Sequence, residues 1–203
     1  MDMSAPYIRS TRENVPDADR KIAFDKFHVM QMLVNAVNTV RKQEHRELQA
    51  KGDKTLTGTK YLWIQNPEDF TDAARREFRG LKKLELRVGR AWAIKQMAKR
   101  LWHYVSRPAA EKAWKRLLGW AFRCRLEPMA KAARSIRRHL WGVLNAVATQ
   151  ATSAISESNN AIIQAIKRKA CGFRSPERFR NAIYFHLGGL DLYPRPALTH
   201  TNA

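Results

Sequence analysis

The chain has 203 residues, 44% of them apolar, with six Trp and eight Phe, which suits a domain with a real core and excludes a disordered basic tail. Lys and Arg number 38 against 18 Asp and Glu, a formal charge of +20 that calls for a polyanionic partner. Two distant cysteines, Cys124 and Cys171, make neither a disulfide framework nor a cysteine zinc site and suit a reducing cytoplasm; with no signal-like start and no long apolar run, neither secretion nor a membrane span is expected.

In chain order, "SAPYIRSTREN" predicts a short helix with Ser4 as N-cap and Pro6 in its first turn, broken by Pro16 and Asp17. "RKIAF", residues 20–24, is a short apolar run that reads as a buried strand, so the first block is taken as α/β. From Phe27 to about Gln49, Val29, Leu33, Val37, Val40 and Leu48 recur at helical spacing and predict a long helix. "AKGDKTLTGT", residues 50–59, breaks the pattern, and "NPEDF", 66–70, starts another helix.

Beyond that point the pattern is helical throughout. Leu84, Val88, Ala91, Ala98, Leu101, Trp102 and Val105 outline one apolar stripe; Met129, Ala133, Ile136, Leu140, Val143 and Val147 outline another. Pro108 and Pro128 separate the segments, and Trp92, Trp102, Trp120 and Trp141 sit in apolar patterns that predict core packing rather than base stacking. A helix through residues 154–169 should stop at Gly172 as its C′ residue. "SPE", 175–177, then supplies an N-cap serine and a proline for a last helix ended by Gly188 and Gly189. The final dozen residues read as a tail.

Charge is unevenly spread. Residues 1–27 balance five acidic against five basic side chains, whereas residues 75–140 hold 20 Lys and Arg against four Glu, a net +16. Lys131, Arg134 and Arg138 form a stripe able to track a phosphate backbone. Lys167, Arg168, Lys169 and Arg174 form a second basic group. Residue by residue, a solvated surface charge is the simpler reading of each.

Three places carry chemistry. Glu157 leads a polar stripe with Asn160, Gln164 and Arg168, nearly opposite Ile155, Ile162 and Ile166. Such a stripe presents a carboxylate to a cleft, and equally makes an ordinary amphipathic helix. Asp2 stands just before a helix, and Asp25 and His28, in "FDKFH", stand where the expected strand gives way to one. Carboxylates at strand ends joined by one from a helix are what a two-metal phosphoryl-transfer site needs, because hard divalent ions take oxygen ligands. An N-cap for Asp25 and a hydrogen-bonded structural role for His28 are the plain alternatives.

"FDKFHVMQMLVNAVNTVR", "YLWIQNPEDF", "RLEPMAKAARSIRRHLWGVL" and "IKRKACGFRSPERFRNAIYFHLGGLDLYP" closely resemble the ISL-type family of bacterial insertion-sequence transposases, from about Asp2 to Pro194. The resemblance implies a DDE transposase with an RNase H-like, retroviral-integrase-like core that binds two Mg²⁺ or Mn²⁺ ions. On it the fold is mainly α: a partial α/β core over 1–28, a large basic all-α insertion over 29–150, core helices over 151–190 and a tail over 191–203. The family's glutamate falls at Glu157, ten residues before Lys167 and Arg168. Asp2, in "DMSAPYI", is taken as the second acid and, with Glu157, as a metal ligand. Asp25 is its rival, and Asp25–His28 resembles a D-x-x-H signature.

This sequence departs from the family after Glu157, reading Ser158, Asn159, Asn160 in place of Gly-Leu-Asn. The family's first aspartate and its amino-terminal zinc-binding and helix-turn-helix segments are absent from it. The resulting expectation is the carboxy-terminal part of a transposase from a truncated or interrupted reading frame, inactive alone in cleavage. Its partners are DNA, at transposon ends and target, and further copies of itself in the full-length enzyme; it belongs with the nucleoid in the bacterial cytoplasm. The alternative is a non-catalytic nucleic-acid-binding remnant that modulates an intact transposase.

Overall fold

The computed structural model describes residues 1–150 and 154–189 and divides the chain into two compact units, Met1–Thr152 and Ser153–Ala203. Every regular element among the described residues is helical. The mainly α expectation therefore holds.

The first unit is built around α3 (Lys26–Ala50), which follows α1 (Ala5–Asn14) and α2 (Ala18–Lys21). Val29, Leu33, Ala36, Val37 and Val40 recur every three or four residues, so one stripe of α3 is buried along most of its length. It packs against α4 (Lys60–Ile64), α6 (Arg87–Leu101) and α8 (Glu127–Arg138). Between these lie a 3₁₀ turn at Pro67–Asp69, α5 (Asp72–Lys83) and α7 (Arg107–Arg123); α9 (Leu140–Thr149) closes the unit. Pro108 and Pro128 sit in the first turns of α7 and α8, where a missing N–H costs nothing.

Two buried charges fasten this core through backbone groups rather than through each other. Glu44 on α3 accepts from the N–H groups of Arg87, at 2.7 Å, and Val88, at 2.8 Å, which are otherwise orphan donors at the start of α6. Lys95 on α6 donates to the carbonyls of Trp63, Ile64 and Gln65, at 3.0, 3.2 and 3.2 Å, and so caps the end of α4. Burial, with Lys99 nearby, pushes the Lys95 ammonium down from 10.5 to about 8. On α9, buried Asn145 donates to the carbonyls of Asp19 and Ile22, at 2.7 and 2.8 Å, and ties α9 to α2.

Several sequence expectations need correction. No strand forms over 20–24. Ile22 caps α2 through its N–H bond to Ala18, 2.8 Å, and is itself already extended. Ile22 and Phe24 are buried as the apolar run requires, but their neighbours supply isolated bonds instead of a ladder. Phe24 N–H bonds the Gly142 carbonyl at 3.1 Å, and Asp25 N–H bonds the Met1 carbonyl at 3.0 Å.

The stripe drawn from Leu84 to Val105 is too long at both ends: α5 stops at Lys83 and α6 at Leu101, leaving Leu84 47% and Val105 85% exposed. The second stripe is divided at His139 into α8 and α9, although Met129, Ala133, Ile136, Val143 and Val147 are all buried. Trp102 is core, edge-on to the buried Trp114 at 5.7 Å; Trp92 and Trp141 are half-buried against the core, and Trp120 is 36% exposed.

The second unit is a helical pair, α10 (Ala154–Lys169) and α11 (Pro176–Leu187). Its connection is a Schellman turn: Gly172 N–H bonds the Lys167 carbonyl and Cys171 N–H bonds that of Arg168, both at 3.1 Å. The C′ position is thus Cys171, at φ 50°, and Gly172 follows it at φ 100°, one residue off the expected register. Ser175 caps α11 by accepting from Arg178 N–H at 3.2 Å. Phe173 and Phe179 pack at 5.0 Å between ring centroids, while on α10 Ile166 is buried and Ile162 is 40% exposed.

Candidate acidic cavity and nucleic-acid interface

The start of the chain and the segment before α3 run side by side. The Met1 amino group donates to the Ala23 carbonyl at 2.7 Å, and the Met1 carbonyl accepts from Asp25 at 3.0 Å. Two bonds from one residue to positions flanking Phe24 are the pattern of a parallel β-bridge. This pairing brings Asp2 beside the first turn of α3, where its Oδ1 lies 3.8 Å from His28 Nδ1 and accepts from Met3 N–H at 2.6 Å. The Asp2 carboxylate is about half exposed.

Asp25, the rival acid, turns elsewhere. Its Oδ1 accepts from Phe27 N–H at 2.9 Å, so it is the N-cap of α3. Asp2 and His28 line a cavity of about 320 Å³ with Ser4, Gln31, Asn35 and His139. His139 Nδ1 lies 2.9 Å from the Ser135 carbonyl, which can only accept, so Nδ1 is the donor. Sequence reasoning missed His139. Nothing local marks it, because its neighbour in space, His28, is more than a hundred residues away.

Met32, Asn35 and Ser135 also line an adjoining cavity of about 480 Å³ between α3 and α8, whose wall includes Thr39, Gln43, Glu127 and Lys131. The two recesses make one groove running from Asp2 along α3. Lys131, Arg134 and Arg138 project from the side of α8 opposite Met129, Ala133 and Ile136 and are all exposed; Arg134 pairs with Glu127. Lys131 is the member of that stripe on the groove itself. In the second unit Lys167, Arg168 and Lys169 form the last turn of α10, where cations also suit the helix dipole, and Arg174 lies just beyond; all four are exposed.

Glu157 lies in the first turn of α10, and its side chain, like that of Ile155, is outside the described residues. Farther along the same stripe Asn160, Gln164 and Arg168 are exposed. Asp2, His28 and Asp25 belong to the first unit and Glu157 to the second. Among the described residues no three His, Cys, Asp or Glu side chains gather as a metal cluster.

A transposase family of the ISL3 DDE type matches residues 1–183. The chain belongs to that family. Among curated relatives of this transposase chain, it is 26% identical to the transposase for insertion sequence element IS1557 of Mycobacterium tuberculosis, over 81% of this chain and 42% of that protein. It is 25% identical to the transposase for insertion sequence element IS1001 of Bordetella parapertussis, over 88% of this chain and 44% of the other. It therefore spans less than half the length of the curated relatives it matches. No solved structure matches it. No helix among the described residues is long and apolar enough to cross a membrane.

Proposed function

We propose that this chain is the carboxy-terminal, DNA-handling part of a transposase, and that its groove along α3 and α8 guides a DNA backbone toward Asp2. The observation that carries the reading is the continuity of that groove: the recess holding Lys131 shares Met32, Asn35 and Ser135 with the cavity of Asp2 and His28, in a chain whose family is that of transposases.

In the full enzyme Asp2 and Glu157 would belong to an RNase H-like core and hold divalent metal, Mg²⁺ or Mn²⁺. The lining of the Asp2 cavity suits a hard ion, since Asp2, Ser4, Gln31 and Asn35 all carry side-chain oxygens; the Asn35 oxygen accepts from Gln31 at 3.0 Å. Metal bound there would activate the attacking oxygen and neutralise charge on the phosphate under attack. The residues of this chain do the positioning. Asp25 holds the start of α3, the Met1 pairing holds Asp2 against it, and Met3 N–H, 2.6 Å from Oδ1, orients the Asp2 carboxylate. Lys131, Arg134, Arg138 and the basic group Lys167 to Arg174 clamp phosphates.

The test fuses the chain to the amino-terminal portion of an intact relative and measures cleavage at the element's end in Mg²⁺. Glu157→Gln and Asp2→Asn should each abolish cleavage with the melting temperature unchanged. Unimpaired cutting by either variant removes that residue from the site. If the unfused chain binds duplex DNA but the chimera shows no dependence on either carboxylate, the non-catalytic binding role is the correct one.

A further inference from the structure

Away from the acidic cavity, a recess of about 530 Å³ opens between α5 and α6. Its floor is aromatic. Phe78 stands edge-on to Phe70 at 5.4 Å and to Trp92 at 5.0 Å. Its rim is cationic, made of Arg75, Arg76, Arg79 and Lys82 from α5, all exposed; the acid on the rim is Asp72, 3.7 Å from Arg75. The Lys82 ammonium lies over both the Phe78 and Trp92 rings, at 5.5 and 5.6 Å from their centroids.

The sequence of α5 explains the layout. In "DAARREFRGLKK" Phe78 and Leu81 are buried, so the cations three and four residues apart are left on the open side.

The ligand that answers both floor and rim carries a flat π surface and negative charge. A bare phosphate would use the rim and leave the aromatic floor empty. An apolar peptide would use the floor and bury the rim cations with Asp72 as their one acid. A base inside a duplex cannot reach the floor, because its faces are covered by its neighbours. We propose that the α5–α6 recess holds an unpaired nucleotide of single-stranded DNA, the base against Trp92 and Phe78 and the phosphate on Arg75, Arg76 and Arg79. Lys82 then moves from the rings to the phosphate. This rests on the reading that the chain binds DNA, but on neither Asp2 nor Glu157.

The experiment measures fluorescence anisotropy of the whole chain with three probes of equal length: single-stranded oligo-dT of roughly eight nucleotides, a fully abasic chain and a duplex. Parent protein should bind oligo-dT at least tenfold more tightly than the abasic chain. Trp92→Leu should remove that advantage, Trp92→Phe should keep most of it, and both should bind duplex like the parent. Arg79→Ala should weaken oligo-dT and abasic chain alike. Equal binding of abasic chain and oligo-dT by the parent would make the recess a phosphate site and overturn the proposal. So would oligo-dT binding unchanged by Trp92→Leu. Failure of the parent to bind even the duplex would overturn the underlying DNA reading instead.

Discussion

Replacing Gly142 with alanine sets helix propensity directly against packing. In an ordinary helix the change gains about 1 kcal/mol. Here an ideal Cβ would lie 2.4 Å from both Cδ2 and Cε2 of Phe24 and 3.2 Å from its Cγ, against roughly 3.5–4.0 Å for a comfortable carbon contact. The ring must retreat by more than about 1 Å, and its surroundings resist. Phe24 is fully buried, edge-on to His139 at 5.5 Å and Trp141 at 5.1 Å, and its N–H is bonded to the Gly142 carbonyl at 3.1 Å. Overpacking of this kind costs roughly 2–3 kcal/mol. Gly142→Ala should therefore lose about 1–2 kcal/mol net, or about 2–8 °C in melting temperature for a domain of this size. The assay is urea and thermal unfolding of four proteins: parent, Gly142→Ala, Phe24→Leu and the double variant. With the ring gone the alanine should cost nothing or stabilise, giving a favourable coupling above about 1 kcal/mol. A single Gly142→Ala protein that melts higher than its parent would refute the reasoning outright.

Between about pH 8 and 10.5 an unfolded Lys95 binds a proton that the native one does not, so stability should rise with pH across that window, on the order of 3 kcal/mol from this group. Lys95→Met should remove that part of the slope, which unfolding at stepped pH would show. Cys171→Gly should stabilise the turn after α10 by about 0.5–1 kcal/mol, because φ 50° strains a residue with a Cβ; amide exchange in α10 and α11 reads it, and faster exchange would contradict it. If Lys131 and Arg138 contact phosphate, each change to alanine should lower the slope of log affinity against log salt by about 0.9, with equal losses on unrelated duplex sequences.

Much of this molecule could be read from its residues, and the misses share a cause. The long helix from Lys26 to Ala50 is legible because its apolar spacing persists over many turns, and Pro108 and Pro128, read as separators of segments, fall in the first turns of α7 and α8. The run "RKIAF" was recognised as buried but given the wrong secondary structure, since burial is a property of composition and strand formation depends on a partner elsewhere in the chain. The limits of the Leu84–Val105 stripe failed likewise, because no local signal says which apolar residue is left uncovered. Asp25 as an N-cap was among the local alternatives. The meeting of Asp2, His28 and His139 in one cavity was not, because it depends on how α3, α8 and the start of the chain pack. The tryptophans were assigned to the core by pattern, which holds for Trp102 but conceals that Trp92 also faces a recess.

Glu44 and Lys95 also settle where α6 sits along its neighbours. Apolar side chains repeated every three or four residues fit almost as well after a shift of one turn, so such a stripe specifies an angle better than a position. The carboxylate of Glu44 fits at the first two N–H groups of α6, and the ammonium of Lys95 at the last carbonyls of α4. A slide of one turn, about 5.4 Å, would strand both charges in the core without partners. The pair therefore works as a stop in each direction. Apolar residues of the stripe are free to drift among similar sizes, whereas these two can change only together with the helix ends they hold.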